Sequence, residues 1–149
     1  MAESKRMTFS TTINAPVDRV WRTMLEDETY REWTSVFAEG SAYEGSWEPG
    51  AKIRFTAPGG EGMVAEIAEH RPREYVSIRH LGMMQDGQED TTSAAVRSWA
   101  PIYENYRFRE VPGGTEVMVE MDSLPAFDQQ MRELWPKALV RLKEVAERE

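Results

Sequence analysis

The chain has 149 residues, 40% of them hydrophobic, with a formal net charge of −8 and no cysteine. That length suits one domain with its own core, and the missing cysteines exclude disulfides, a catalytic thiol and thiolate metal sites. The acidic balance argues against nucleic acid and anionic lipid, whose binding rests on cationic contacts to phosphate. The apolar runs are too short for a secretory leader or a membrane span, so a cytoplasmic protein is expected. In chain order, Met7 to Ile13 comes first, with Phe9, Thr11 and Ile13 on one face, and this period of two predicts a strand. Asn14-Ala15-Pro16 ends it. Proline is tolerated in a first helical turn, and Val17, Val20, Trp21, Met24 and Leu25 follow at helical spacing, with Asp18 early where the helix dipole favours an anion. A second short helix is predicted over Asp27 to Trp33.

From Ser41 to Met121 the signals are strands and turns. Tyr43, Gly45 and Trp47 alternate, as do Ile53 and Phe55, then Met63, Ala65 and Ile67. Glu48-Pro49-Gly50, Ala57-Pro58-Gly59-Gly60 and Arg71-Pro72-Arg73 supply turns between them. Tyr75 to Leu81 reads as a strand with Val76 and Ile78 on its apolar face. Tyr106 and Phe108 mark the next, and Val117, Val119 and Met121 the last, across a Val111-Pro112-Gly113-Gly114 turn. Residues 82–102 break the pattern as a connection too long for a simple turn, which marks a functional loop, disorder or a hidden element. Thr92 or Ser93 is placed to cap a short helix through Trp99, ended by Pro101. The chain closes with a helix that Ser123 or a neighbour caps, with Pro125 near its start. Its apolar stripe runs through Phe127, Met131, Leu134, Trp135, Ala138, Leu142 and Val145. Pro136 inside the stripe is expected to kink or divide it near Arg132 to Trp135.

The element order is strand, two helices, six strands, long helix. Six neighbouring strands joined by tight turns want antiparallel pairing, and one face of that sheet needs a cover, which the last helix can supply. The fold class is therefore α+β in a single domain. The chain resembles bacterial proteins similar to the C-terminal domain of the activator of Hsp90 ATPase, within the START-like (SRPBCC) superfamily. The resemblance rests on T-I-N-A-P-V-D-R-V-W, Y-R-E-W-T, E-P-G-A-K-I-R-F, H-L-G with a following D-G, W-A-P-I-Y-E-N-Y, G-G-T-E-V and L-W-P-K-A-L-V-R-L-K, and it covers nearly the whole chain. It implies a helix-grip fold, a curved antiparallel sheet around a long C-terminal helix with two short helices near the N-terminus. Relatives of this fold bind lipids, hormones or polyketides, some cyclise or dehydrate them, and some bind Hsp90. The short stretch before Met7 is not expected to hold the eukaryotic activator's separate N-terminal Hsp90-binding domain.

No motif announces a reaction. The phosphate-cradling G-x-x-x-x-G-K-[ST], the dinucleotide fingerprint and the G-x-S-x-G elbow are all missing. His70 and His80 are the only histidines, so a histidine-rich zinc site is not expected, nor is a cofactor. His80 follows Val76 and Ile78 at two-residue spacing, and Glu104 shares parity with Tyr106 and Phe108. If both alternations hold, His80 and Glu104 meet near one end of the cavity, to bind a polar ligand group or move a proton. The competing reading is a satisfied structural pair. His70, beside a turn, reads as exposed.

Candidate ligand contacts are Trp33, Phe37, Tyr43, Phe55, Met63, His80, Met84, Tyr106 and Trp135, from elements expected to surround the space under the last helix. Methionines there suit a tolerant apolar pocket or irregular packing, and the aromatic residues equally suit plain core. The acidic 82–102 segment reads as a lid, a solvated loop or a homodimer contact through Trp99. The leading expectation is a small, largely apolar ligand in the cavity. A cyclase or dehydratase using His80, Glu104 and Tyr106 is second, and an Hsp90-type interaction module third.

Overall fold

A computed structural model describes residues 5–148. They run β1 (Lys5–Ile13), α1 (Val17–Leu25), α2 (Asp27–Thr34), β2 (Ala42–Gly45), β3 (Lys52–Ala57), β4 (Glu61–Arg71) and β5 (Tyr75–Gln85). Then come β6 (Gln88–Asp90), α3 (Ala94–Arg97), β7 (Ile102–Val111), β8 (Gly114–Ser123), a single 3₁₀ turn (Pro125–Phe127) and α4 (Asp128–Glu147). All strands join one antiparallel sheet in the order β1-β8-β7-β5-β4-β3-β2, with β6 paired to β5. The α+β helix-grip architecture follows: α4 packs on β1, α1 and α2, and closes one face of the sheet.

Parity explains which side chains fill that face. In β1 the inner residues Met7 and Phe9 lie opposite Met121 and Val119 of β8, and Ile13 is fully buried. Val20 and Met24 of α1, Ile53 of β3, Ile78 of β5 and Leu142 of α4 are likewise wholly withdrawn from water in one core. Each such side chain contributes about 1.5–3 kcal/mol.

The structure departs from the sequence expectations in four places. The sheet gains a strand, because residues 82–102 are mostly regular structure. β5 runs on to Gln85, turns at Asp86-Gly87, both at positive φ (52° and 77°), and returns as β6. That is the two-residue hairpin geometry for which Asp-Gly is suited. Ser93 then caps α3 by accepting from the Val96 amide at 3.2 Å.

Second, one residue of β5 is extra. Ala65 pairs with His80 but Val64 pairs with Gly82, so Leu81 bulges and parity flips beyond it. Met83, opposite Met63, takes the inner face, and Met84 turns to the outer face opposite Glu89. Gly82 sits against β6 so closely that a Cβ there would collide with the Asp90 carbonyl. Gly82→Ala is expected to lose about 1–3 kcal/mol in urea unfolding. An unchanged midpoint would show that β6 moves aside freely.

Third, Ser123 ends β8 and caps nothing; the chain enters α4 through the 3₁₀ turn, without a side-chain cap. Fourth, α4 is not divided. Pro136 lies on its solvent face, where water can take the Arg132 carbonyl that the missing N–H leaves unpaired.

Two acidic residues of the 82–102 segment, Glu89 and Asp90, are tied to the sheet and to the start of α3. Glu89 accepts from Lys52 Nζ at 2.7 Å and Arg54 Nε at 2.6 Å. Asp90 accepts from the Thr92 and Ser93 amides at 3.2 and 3.0 Å. Hydrogen bonds from Lys52 and Arg54 hold Glu89 below its ordinary 4.5, and those from Ser93 hold Asp90 below 3.8. An unfolded chain therefore binds more protons than the folded one in this range. The stability these carboxylates lend is complete above their ordinary values and is lost as pH falls through the lower folded ones. Glu89→Gln is expected to flatten the fall in urea midpoint between pH 5 and about 3. An unaltered pH slope would remove Glu89 from that account.

Candidate functional site

Between α4, α2 and the inner sheet face lie two adjoining cavities of about 270 Å³ each. Met63, His80, Glu104, Met121 and Met131 stand in the walls of both, so the two form neighbouring lobes. The first lobe is aromatic: Trp33, Phe37, Phe55, Tyr106 and Trp135 line it. The second, towards the 3₁₀ turn, is walled by Met83, Trp99, Ile102, Leu124 and Phe127. Phe127 is 49% exposed, so this lobe has an apolar mouth.

Trp135 sits at the centre of the aromatic lobe. Its ring lies 5.0 Å from Phe37, 5.9 Å from Trp33 and 6.3 Å from both Phe9 and Tyr106. Trp33 is fixed separately, because its indole N–H donates to the Met24 carbonyl at 3.1 Å. The wall is thus built from α2, α4 and the sheet together.

Where the lobes meet stands one polar cluster. Ile78 pairs with Glu104 and His80 with Ile102, so His80 and Glu104 are diagonal neighbours on the inner face. His80 Nε2 is 3.1 Å from Glu104 Oε1. Tyr106, two residues along the same strand and on the same face, donates its hydroxyl to Glu104 Oε2. Both carboxylate oxygens are therefore engaged. His80 is 7% exposed, and its other nitrogen, Nδ1, is buried without a hydrogen-bond partner.

Burial raises the Tyr106 phenol well above its ordinary 10, and the Glu104 charge adds to this. Tyr30, also in the wall of the first lobe, is raised well above 10 by the same two causes. A phenol held protonated in the fold but released in the unfolded chain stabilises below pH 10, and that stability drains away above it. In an alkaline titration read at 295 nm, Tyr30 and Tyr106 are expected to ionise only as the protein unfolds. One ionisation wave near pH 10 for all five tyrosines of a still folded chain would contradict this.

Seven of the nine expected ligand contacts line the space, Trp33, Phe37, Phe55, Met63, His80, Tyr106 and Trp135, and so does Glu104. Two do not. Tyr43 sends its hydroxyl to the Leu25 carbonyl at 2.6 Å and packs edge-on against Tyr30 and Trp47. Met84 is carried to the outer face by the Leu81 bulge. Met83, one of the methionines suited to a tolerant pocket, lines the second lobe, and Tyr30, Thr34, Met121 and Met131 line the space without being among the expected contacts. Tyr30, Trp33 and Thr34 recur at helical steps, a signal that identifies an inward face of α2, and Phe37 continues the spacing in the turn after it. His70 is not freely exposed; its Nδ1 lies 2.6 Å from the Trp47 carbonyl and Trp21 packs on its ring. Among the described residues no group of three or more histidine, aspartate or glutamate side chains could hold a metal ion. None of their helices is long and apolar enough to cross a membrane.

An antiparallel sheet gripping a long C-terminal helix is the helix-grip architecture of the START-like class. Residues 14–147 match the family described as activator of Hsp90 ATPase homolog 1-like protein, and the chain belongs to that family. Among solved structures it is similar to protein MLL2253 from Mesorhizobium loti, with 15% identity and a TM-score of 0.75 over 97% of this chain and 98% of that one. It is similar to the Aha1 dimer from Colwellia psychrerythraea, with 17% identity and a TM-score of 0.74 over 96% of each chain. DynU16, of the dynemicin biosynthetic locus, matches at 18% identity and a TM-score of 0.70 over 95% of this chain and 47% of that one. Likeness at these identities establishes the fold alone. No curated protein matches the chain.

Proposed function

We propose that the protein binds a small, largely apolar ligand between its sheet and C-terminal helix. The observation that carries this reading is the His80–Glu104–Tyr106 cluster at the junction of two otherwise apolar lobes. Apolar walls with a few placed polar groups are the usual form of a small-molecule site. A structural pair buried for packing would have no reason to border open space on two sides.

Trp33 and Trp135 in the wall supply a signal. Titration with butylbenzene or 4-butylphenol is expected to change tryptophan fluorescence saturably, and solvent extraction of freshly purified protein to release an apolar compound for mass spectrometry. No saturable change with either probe, together with an extract free of such a compound, would end the reading.

A second reading, proton transfer of the cyclase or dehydratase type, is favoured by the free Nδ1 of His80, which Glu104 holds in place from the other side of the ring. There His80→Ala would abolish turnover while near-ultraviolet circular dichroism stayed native. The dimer named for the Colwellia relative supports pairing of two copies here, for which we propose the segment 82–102 that carries the half-buried Trp99. Light scattering of the purified chain decides the oligomeric state, and Trp99→Ser should then shift it to monomer.

A further inference from the structure

The polar cluster has a sign, and the sign selects among ligands. In neutral imidazole one nitrogen donates and the other accepts. His80 Nε2 faces a carboxylate oxygen, which can only accept, so the proton sits on Nε2 and Nδ1 carries the lone pair. Tyr106 has likewise turned its hydroxyl hydrogen to Glu104. Both hydrogens of the cluster are consumed inside it, and the ring nitrogen left without a partner is a buried acceptor, Nδ1, on a residue that lines both lobes. A buried acceptor with nothing to accept from is costly, and a ligand that supplies a hydrogen removes that cost.

Charge points the same way. Neither lobe has a lysine or arginine in its wall. The carboxylates that do line it are Glu104 and, in the second lobe, Asp122, which is already paired with Arg6 at 2.8 Å. An anionic head group would enter a low-dielectric space beside Glu104 with no cation to meet it. Fatty acids and other carboxylates are thereby disfavoured, although the walls suit their chains.

The two lobes add shape. The first offers flat aromatic faces, Trp33, Phe37, Phe55 and Trp135, which suit a ring. The second offers Met63, Met83, Met121 and Met131, which adapt to a flexible apolar extension. Nδ1 belongs to a residue that lines both.

We propose that the cavity is selective for uncharged ring compounds bearing a hydroxyl group, which donate to His80 Nδ1 from the junction of the lobes, and that it rejects carboxylates. This rests on the ligand-binding reading above and names the ligand class for that site. Glu104 acts as the positioning residue that sets the His80 tautomer, and its charge is the gate against anions.

The test uses four probes on one carbon frame at pH 8: butylbenzene, 4-butylphenol, 4-butylbenzoate and 4-butylbenzylamine, measured by calorimetry with the full chain. 4-Butylphenol is expected to bind about tenfold more tightly than butylbenzene, the advantage of one satisfied buried hydrogen bond. 4-Butylbenzoate is expected to bind more weakly than the hydrocarbon. In His80→Phe the phenol-to-hydrocarbon ratio should fall to near one, and in Glu104→Gln the benzoate should gain on the phenol. Nitrogen-15 NMR of the unsubstituted protein, which needs no variant to fold, should show His80 protonated at Nε2 and Nδ1 shifted by 4-butylphenol but not by butylbenzene. The proposal is overturned if the benzoate or the benzylamine outranks the phenol, if His80→Phe keeps the phenol's advantage, or if Nδ1 carries the proton. If butylbenzene binds and the phenol gains nothing, selectivity fails while the binding reading stands. If no probe binds, both fall.

Discussion

Trp33→Ala is expected to lower the unfolding free energy by about 3–5 kcal/mol, the usual loss for truncating a buried aromatic side chain. Three contributions place it in that range. The side chain is 1% exposed, so nearly all its apolar surface returns to water on unfolding. Its ring lies against Tyr30, Tyr106 and Trp135 at 5.5, 6.4 and 5.9 Å, so the hole would open in the aromatic wall where α2, α4 and the sheet converge. Its N–H holds the Met24 carbonyl, near the end of α1, which truncation would leave to find another donor. A domain of this size is stable by about 5–15 kcal/mol in all, so the variant should lie near the edge of folding. Urea unfolding followed by circular dichroism measures this directly. Trp33→Phe, which keeps a ring but not the N–H, is expected to lose less. A loss under about 1 kcal/mol for the alanine variant would show that the wall collapses without cost, which close-packed interiors seldom permit.

Glu104→Leu is the second large effect. Leucine is apolar and of similar bulk, so packing is nearly conserved and the loss isolates hydrogen bonding. The His80 Nε2–H and the Tyr106 hydroxyl both donate to Glu104, and each would be stranded in a space with few alternatives. A stranded buried donor costs about 1–3 kcal/mol, so a loss of about 2–4 kcal/mol is expected. The cluster should also show coupling. Tyr106→Phe in the Glu104→Leu background removes a donor that no longer has an acceptor, so the second change should cost less than it does alone. A double-mutant cycle in urea returns that difference. A coupling near zero would mean that Tyr106 and Glu104 do not act together and that water enters to serve both.

The pairing of His80 with Glu104 was legible because it needed only parity: each sits on the same face of its strand as neighbours whose burial is obvious from residue type. Parity fails where strands are irregular. Met84 shares the parity of His80 in the sequence, but Leu81 takes no partner in β4, so the alternation slips by one and Met84 leaves the inner face. Nothing in the identity of Leu81 advertises the bulge; the register with Val64 and Ala65 does. The hairpin into β6 did carry a local signal, since Asp86-Gly87 is a strong two-residue turn, but Gln88, Glu89 and Asp90 are polar and read as loop. Their strand character comes from pairing with β5 and from ties to Lys52 and Arg54, both long-range. Tyr43 shows a different limit. Its side of the sheet was read correctly, yet its hydroxyl found the Leu25 carbonyl and took the ring out of the cavity wall. Pro136 does not divide α4: it lies on the solvent side, and the helix continues through it.

The bulge in β5 has a consequence for how this sheet tolerates a slip in pairing. Residues 83 and 84 are both methionine. If Leu81 entered the ladder opposite Val64, the residues after it would slide by one and present Met84 to the second lobe in place of Met83. The wall there would keep its chemistry through a change that elsewhere in a sheet exchanges every inward side chain for an outward one. The tandem methionines make this stretch of β5 degenerate in register, so the bulge can open or close without altering what the cavity offers its occupant.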